Sequence, residues 1–330
     1  FFSSFESPPF TYGFQISKNM TEKKYTTNYD WPDSGPSPEL IERAVPIRFI
    51  KNCPNLIAED YTVDKESIQF DANKPFFNDL FSWTSKQISS LTKSPGVLLF
   101  KLGNYHLTDK QLKSLYYAIA QGLGQLNSRY GELFEVRDRN LDHTKEAIPV
   151  SKTSASTGFH TDSTALSYSP DIVGLLCLQP AEIGGESIFA NAHDLLQWMQ
   201  NYYPESVQVL SEPIIRDVIT PGSKADIEAI KKNRFPVFSF DNDLFQFRYM
   251  RYWIITGHQR SQTFISPELI KALDRIDEYF QIKDNLFYYK MEQGDMLFIN
   301  NHFICHNRTK YEDNERQGKK RTLLRTWINL

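Results

Sequence analysis

The sequence predicts a mostly β protein with peripheral helices, an α+β fold in which an antiparallel sandwich or barrel forms one domain. Short apolar runs of strand length dominate the chain, and segments with helical periodicity are few. Aromatic residues are abundant, with 24 Phe, 17 Tyr and 5 Trp, and such large flat side chains suit the space between stacked sheets. At 330 residues the chain is long enough to bury a sizeable core.

Charge and cysteine content exclude several classes of protein. The 37 basic and 40 acidic residues give a net charge of −3, so we expect neither a nucleic acid nor a membrane surface as partner. No apolar run approaches about 18 residues, and the start FFSSFESPPF lacks the basic region of a signal peptide. Three widely separated cysteines without a CxxC pair are typical of a reducing compartment. We therefore expect a cytoplasmic protein.

Residues 1–45 are predicted to form an extended N-terminal arm that packs on a single main domain, residues 46–330. The arm is rich in Pro, Ser and aromatic residues, and its aromatic content favours packing over disorder. Within it, Ser37-Pro38-Glu39 predicts the start of a short helix, because Ser is a good N-cap and Pro suits the first turn.

Periodicity and turn residues predict the elements of the main domain. We expect the strands at 285–291 and 295–300 to be an antiparallel pair joined around Gly294. The helix at 266–280 has the clearest apolar face. The predicted strands are 96–102, 171–180, 184–191, 245–254, 285–291, 295–300 and 321–330, and the predicted helices are 108–124, 191–203 and 266–280.

Two segments without strong periodicity, about 137–156 and about 213–236, are long for loops of a compact domain. Loops of that length are often lids or binding loops. We expect these two to close over the functional site and to determine the substrate.

The stretch TGFHTDSTALS, residues 157–167, places His160 two positions before Asp162. With 7 His and 40 acidic residues in 330, roughly 0.85 such triplets are expected by chance, so the triplet alone is weak. On extended chain both side chains would point to the same side, where they could occupy adjacent positions on one metal ion. An iron-oxygenase site needs one further histidine, and the candidate is His306 in NHFICHNRTKY.

Two arginines four positions apart, Arg321 and Arg325, face the same side of the predicted C-terminal strand as Leu323. Guanidinium groups in a strand-built core are costly unless an anion meets them. A dicarboxylate cosubstrate would do so, because a guanidinium binds a carboxylate bidentately. Ordinary salt bridges of a C-terminal strand are the alternative.

Four motifs in register resemble the Fe(II)/2-oxoglutarate dioxygenases of the taurine dioxygenase (TauD-like) and clavaminate synthase-like family. They are HTD, then GGES about 25 residues later, then GD-x-LFINN…CHNR, and finally R-x-LLR-x-W, and they span about residues 95–330. The resemblance implies a double-stranded β-helix (jelly-roll) core. It also implies an oxidoreductase that uses Fe(II), 2-oxoglutarate and O2 and releases succinate and CO2.

The resemblance also assigns roles to single residues. His160, Asp162 and His306 correspond to the two-histidine, one-carboxylate iron ligands of the family. Arg321 corresponds to the arginine that holds the far carboxylate of 2-oxoglutarate. Ser187, in GGES, stands where these enzymes usually carry a threonine whose hydroxyl assists that arginine.

Three further arginines are candidates for substrate binding. Arg325 corresponds to a second arginine that, in some members, meets an anionic group of the substrate. Arg248 and Arg251 lie on opposite faces of the predicted strand 245–254, where either face could meet substrate. Ordinary packing is the alternative for this run.

The resemblance implies an enzyme that hydroxylates an unactivated C–H bond of a small polar metabolite, such as an amino acid or a derivative. Asp162 fills a position that is small in halogenating relatives, which favours hydroxylation. The alternatives are a desaturase or cyclase of the same family in natural-product biosynthesis, a 2-oxoglutarate-independent cupin-like metalloenzyme, and a non-catalytic jelly-roll binding module. Iron binding, succinate formation and the effect of replacing Arg321 distinguish them.

Overall fold

The structure, a computed structural model, describes residues 29–32, 35–53, 74–129, 131–139, 153–217, 226–241, 244–314 and 317–330. The helices are α1 Pro38–Ile41, α2 Ile47–Lys51, α3 Pro75–Ser85, α4 Ser89–Thr92, α5 Asp109–Leu123, α6 Ala192–Tyr202, α7 Pro204–Leu210, α8 Ile227–Lys232, α9 Arg251–Arg260 and α10 Pro267–Tyr279. The strands are β1 Glu42–Ala44, β2 Val97–Lys101, β3 Gln125–Leu126, β4 Phe134–Arg137, β5 Ile172–Gln179, β6 Ile183–Gly184, β7 Ser187–Asn191, β8 Ile214–Ile215, β9 Arg234–Phe235, β10 Phe238–Asp241, β11 Leu244–Phe247, β12 Leu286–Tyr289, β13 Met296–Asn300, β14 Ile304–Arg308, β15 Tyr311–Glu312 and β16 Thr322–Asn329.

Two sheets build the core of the molecule. The larger has seven described strands in the order β1-β2-β13-β5-β16-β3, with β4 also paired to β16, and the smaller has the order β12-β7-β14. Apolar side chains from both sheets, such as Leu99 and Ile299 of the larger and Phe189 and Cys305 of the smaller, form one buried cluster. Apart from the parallel pair of β1 and β2, neighbouring strands in these sheets are antiparallel. The predicted α+β fold, a sandwich of sheets with helices on its outside, is confirmed.

Successive side chains of β2 point to opposite faces of the larger sheet, and both faces are covered, which explains why this strand is a continuous apolar run. Leu99 faces the smaller sheet, whereas Leu98 and Phe100 belong to a second buried cluster that includes Leu115 and Ile119 of α5. A strand covered on both faces has no polar side. The helix α5 begins where the sequence predicts, because Thr108 and Gln111 form a capping box.

The other predicted helices are also present. The N-cap Ser266 of α10 accepts a hydrogen bond from Leu269 N at 3.1 Å, and the buried face of that helix includes Leu273 and Ile276. Asn191 caps α6. No helix in the described part of the chain combines the length and the apolar character needed to cross a bilayer.

The predicted pairing of the strands on either side of Gly294 is wrong. Strand β12 pairs with β7 in the smaller sheet, whereas β13 lies between β2 and β5 in the larger one. The turn at Gly294 (φ 88°) therefore carries the chain from one sheet to the other. The sequence pattern resembles a hairpin because two apolar runs flank a glycine turn, and it does not show which sheet each run joins.

The strand predicted at 245–254 is correct only as far as Phe247, because α9 begins at Arg251. Aromatic and β-branched residues in RYWIIT favour a strand. The helix instead buries Ile254, Gly257 and His258, which are spaced three and four residues apart on one face. Tertiary packing overrides the local preference here.

Gly257 is the position where this packing is tightest. A Cβ at Gly257 would lie 2.6 Å from the backbone N of Asp217 and 2.8 Å from the carbonyl carbon of Arg216. Replacing a glycine by alanine in an exposed helix generally stabilises a protein by about 1 kcal/mol. For Gly257→Ala we instead expect the free energy of unfolding to fall by about 1–3 kcal/mol, because the neighbouring backbone must move. Urea unfolding measures this, with Gln259→Ala on the exposed side as control. A stabilised Gly257→Ala variant would contradict the packing.

The described part of the N-terminal arm lies on the main domain. Trp31 Nε1 donates to Pro95 O at 2.8 Å, and Asn191 Nδ2 donates to Tyr29 O at 2.6 Å. Strand β1 pairs with β2, so the chain joins the larger sheet before residue 46. Residues 1–28 lie outside the described residues.

The segment predicted as a loop at 213–236 is not irregular throughout. It contains β8 and β9, which pair with each other, and α8. Residues 140–152 and 218–225 lie outside the described residues. The role of both segments as lids stays a prediction.

Candidate active site

The two histidines predicted as ligands are neighbours across a short antiparallel bridge. His160 N donates to His306 O at 2.9 Å, and His306 N donates to His160 O at 2.9 Å. His306 lies on β14 of the smaller sheet, and the centroids of the two imidazole rings are 4.3 Å apart. Both side chains line the same cavity.

Asp162 joins the histidines because its backbone is held at the end of β13. Asp162 N donates to Asn301 Oδ1 at 2.7 Å, and Asn301 Nδ2 donates to Asp162 O at 3.1 Å. Asp162 Oδ1 then lies 3.5 Å from His160 Nε2 and 3.7 Å from His306 Nε2. The structure therefore brings the three predicted ligands together.

These three side chains fit a ferrous ion. One ligand atom from each lies within 4.8 Å of the others, and the separations of 3.5 and 3.7 Å between Asp162 Oδ1 and the two Nε2 atoms are somewhat longer than the roughly 2.8–3.1 Å between adjacent ligands with bonds of about 2.0–2.2 Å. Two imidazoles and one carboxylate are the donor set of non-haem iron oxygenases. Nδ1 of His160 lies 2.9 Å from Gly158 O, so a proton on Nδ1 would leave Nε2 to bind the metal.

Burial and charge favour the metal-binding forms of Asp162 and His306. Burial raises the pKa of Asp162, but the charge of Arg325 and hydrogen bonds with His160 and His306 outweigh it, and the net pKa lies well below its usual range. Burial and the neighbouring His160 lower the pKa of His306. A carboxylate and a neutral imidazole are the states that coordinate metals.

The arginine predicted to hold the cosubstrate lines the same cavity. Arg321 is 4% exposed, and its Nη1 atom has no hydrogen-bond partner among the described residues. Burial lowers the pKa of Arg321, which reflects the cost of a cation in a low-dielectric interior. The space beside the Arg321 guanidinium therefore suits an anionic group, such as the far carboxylate of 2-oxoglutarate.

The GGES turn lies directly against this arginine. Gly185 has a left-handed backbone (φ 75°), and a Cβ there would lie 3.2 Å from Arg321 Nε. Ser187 follows on β7 and lines the cavity with Arg321. The apolar part of the wall comprises Val136, Val173, Leu175, Phe189, Leu297, Ile299 and Leu323.

Arg325 lines the cavity and contacts the carboxylate of Asp162. Its Nη1 donates to Asp162 Oδ2 at 3.2 Å. Its guanidinium lies 5.0 Å from the ring centroid of Phe134 and 4.6 Å from that of Trp327. Trp327 Nε1 also donates to Asp162 Oδ2, at 2.6 Å. The motif R-x-LLR-x-W contains this tryptophan, but its spacing alone does not reveal the contact.

Arg308 is a second site residue that the sequence motifs left without a role. It lines the cavity, and its Nη2 donates to Thr153 O at 2.9 Å and to Ala155 O. Burial and the neighbouring Arg321 lower the pKa of Arg308 to about 10. Arg308 thus connects the chain that precedes His160 to β14. The only feature of the sequence that points to Arg308 is its position in the motif CHNR.

Arg248 and Arg251 do not line this cavity. Arg248 Nη2 donates to Thr164 O at 3.3 Å, and its guanidinium lies 3.7 Å from the ring centroid of Phe235. Arg251 Nη1 pairs with Asp277 at 2.5 Å. Packing and ion pairing therefore account for both, and their geometry does not support substrate binding.

His302 does not belong to the ligand cluster either. Its Nε2 lies 2.7 Å from Asp171 Oδ1. Of the two histidines in NHFICHNRTKY, His306 therefore joins the cluster and His302 does not.

Curated relatives of the chain include oxygenases. The chain is 28% identical over 182 residues to FR-33289 synthase of Streptomyces rubellomurinus, which covers 54% of this chain and 51% of that protein. It is 22% identical over 183 residues to the gamma-butyrobetaine dioxygenase of Homo sapiens, covering 56% of this chain and 46% of that protein. The chain spans about half the length of these relatives.

Solved structures share the fold. Asparagine oxygenase in complex with Fe(II), 2S,3S-3-hydroxyasparagine and succinate superposes with a TM-score of 0.60 at 13% identity, covering 87% of this chain and 93% of that one. The non-heme iron oxygenase OrfP in complex with Fe and alpha-ketoglutaric acid superposes with a TM-score of 0.52 at 15% identity, covering 78% and 80%. Both likenesses concern the fold alone, and they confirm the predicted jelly-roll architecture.

The family itself is shown by a match along most of the chain. The model described as Taurine catabolism dioxygenase TauD, TfdA family, matches residues 60–327. This range includes the strands of both sheets from β2 to the greater part of β16, and every residue of the candidate metal cluster. The chain belongs to the TauD/TfdA family of Fe(II)/2-oxoglutarate-dependent dioxygenases.

Proposed function

We propose that this protein is an Fe(II)- and 2-oxoglutarate-dependent oxygenase that hydroxylates an unactivated C–H bond of a small polar metabolite, such as an amino acid or a derivative. One observation carries the proposal: the cluster of His160, Asp162 and His306 shares its cavity with a buried guanidinium, Arg321, whose Nη1 lacks a partner among the described residues. The similar structures of asparagine oxygenase and OrfP hold hydroxylated amino acids, which supports the substrate class.

Iron and 2-oxoglutarate, when bound, would supply the oxidising chemistry: one atom of O2 would enter succinate as 2-oxoglutarate loses CO2, and the other would be inserted into a C–H bond of the substrate. His160, Asp162 and His306 would hold the ion, and three protein ligands leave positions open. Arg321 would bind the far carboxylate of 2-oxoglutarate, assisted by Ser187. The apolar wall excludes water and strengthens these charge interactions.

Arg325 is our candidate for an anionic group of the substrate. Its side chain is 18% exposed and lines the cavity, and one of its nitrogens is engaged by Asp162. The remaining N–H groups of its planar fork would suit a carboxylate.

The proposed reaction requires a small molecule and neither a nucleic acid nor a membrane. All three cysteines, Cys53, Cys177 and Cys305, are buried and none forms a disulfide. This supports the expected cytoplasmic setting.

Turnover with Fe(II), 2-oxoglutarate and a panel of amino acids tests the proposal. We expect one member of the panel to gain one oxygen atom in a one-to-one ratio with succinate. A product that loses two hydrogens without gaining oxygen would indicate a desaturase or cyclase. Oxygenation without 2-oxoglutarate would indicate a cupin-like enzyme, and absence of both iron binding and succinate would indicate a binding module.

A further inference from the structure

We propose that Trp327 is a positioning residue of the metal site: its indole N–H holds one oxygen of Asp162, so that the carboxylate binds the ion through its other oxygen only. The inference rests on the proposed iron site. It concerns the tryptophan of R-x-LLR-x-W, to which the resemblance assigns no role, and gives it a specific effect on coordination.

The two oxygens of Asp162 have different surroundings. Oδ2 accepts hydrogen bonds from Trp327 Nε1 at 2.6 Å and from Arg325 Nη1 at 3.2 Å. Oδ1 is the oxygen that faces the imidazoles, 3.5 Å from His160 Nε2 and 3.7 Å from His306 Nε2. With Oδ2 occupied by two donors, Oδ1 is the oxygen presented to a metal.

The donors to Oδ2 are themselves fixed. Trp327 is 8% exposed, and its backbone is paired with Val173 within the larger sheet. Arg325 lies over the indole ring at 4.6 Å, so each donor restricts the other. Asn301 holds the backbone of Asp162 on both its N–H and its carbonyl group. Because the backbone of Asp162 is fixed, rotation of its carboxylate would break the two hydrogen bonds to Oδ2.

This arrangement matters for the open positions of the ion. A carboxylate that bound through both oxygens would occupy one more position, which 2-oxoglutarate and O2 need. A short hydrogen bond from a rigid donor to an ionised acceptor is strong, and outer partners of this kind orient a ligand and tune metal affinity. The indole provides such a donor without adding charge next to Arg325.

Trp327→Phe tests the proposal because phenylalanine keeps an aromatic ring for Arg325 and removes the N–H group. Co(II) is the probe, since its visible absorption reports coordination number without turnover. We expect Co(II) affinity to fall about 10- to 100-fold and the absorption band to change. The control is Trp198→Phe, the same change on α6, where Trp198 packs 5.4 Å from the ring of Tyr279. This control should bind Co(II) as the unmodified protein does.

A second variant covers the case in which Trp327→Phe does not fold. Benzothienylalanine at position 327 replaces the N–H group by sulfur and keeps the shape of the two fused rings. A folded variant whose Co(II) affinity and spectrum equal those of the unmodified protein would overturn the role of Trp327. If the unmodified protein itself binds no Co(II), the iron-site proposal fails as well, so the two failures are distinguishable.

Discussion

His160→Ala is expected to abolish metal binding and turnover. The variant removes one of the three donors that converge in the cavity, and its partner across the backbone bridge, His306, cannot replace it. The loss of affinity should exceed the roughly 10- to 100-fold that removal of an outer partner costs. Co(II) titration measures the binding, and succinate formation measures the turnover.

His302→Ala is the matched control for this variant. His302 contacts Asp171 and lies outside the ligand cluster, so the control should retain metal binding and most of the activity. Retained turnover in His160→Ala would show that the ligands have been misassigned.

Arg321→Ala should raise the KM for 2-oxoglutarate by at least about 30-fold. The guanidinium is buried and its Nη1 has no partner among the described residues, so in the complex it would form a desolvated charge pair with the cosubstrate. Loss of one member of such a pair costs about 2–5 kcal/mol, and each 1.4 kcal/mol is about tenfold in affinity. Initial rates at varied 2-oxoglutarate concentration measure the change.

Arg251→Ala serves as the control, because Arg251 pairs with Asp277 and does not line the cavity. The KM for 2-oxoglutarate should be unchanged in this control, and Co(II) affinity should be unchanged in both variants. An Arg321→Ala enzyme with a normal requirement for 2-oxoglutarate would contradict the assignment and favour the cupin-like alternative.

The elements and residues that sequence could predict are those with local signals. The apolar run of β2 and the capping residues of α5 and α10 determine their elements through short-range patterns. The candidate metal ligands could be predicted from the sequence because the motifs that contain them occur in the order typical of the family. Their convergence in one cavity agrees with the prediction.

The features that sequence could not predict depend on contacts between distant segments. The spacing of β12 and β13 does not reveal that they join different sheets. The helix α9 depends on Gly257 packing against the backbone at Asp217. The hydrogen bond from Trp327 to Asp162 joins residues 165 positions apart. The local sequence pattern contains none of this information, because tertiary packing determines which of the locally possible conformations and contacts the chain adopts.

Anomalous diffraction at the iron edge, from crystals grown anaerobically with Fe(II) and 2-oxoglutarate, tests most directly whether these side chains share one ion. We predict a single iron peak within bonding distance of His160 Nε2, His306 Nε2 and Asp162 Oδ1. The far carboxylate of 2-oxoglutarate should lie on the guanidinium of Arg321. An iron peak elsewhere in the molecule, or 2-oxoglutarate bound away from Arg321, would contradict the account.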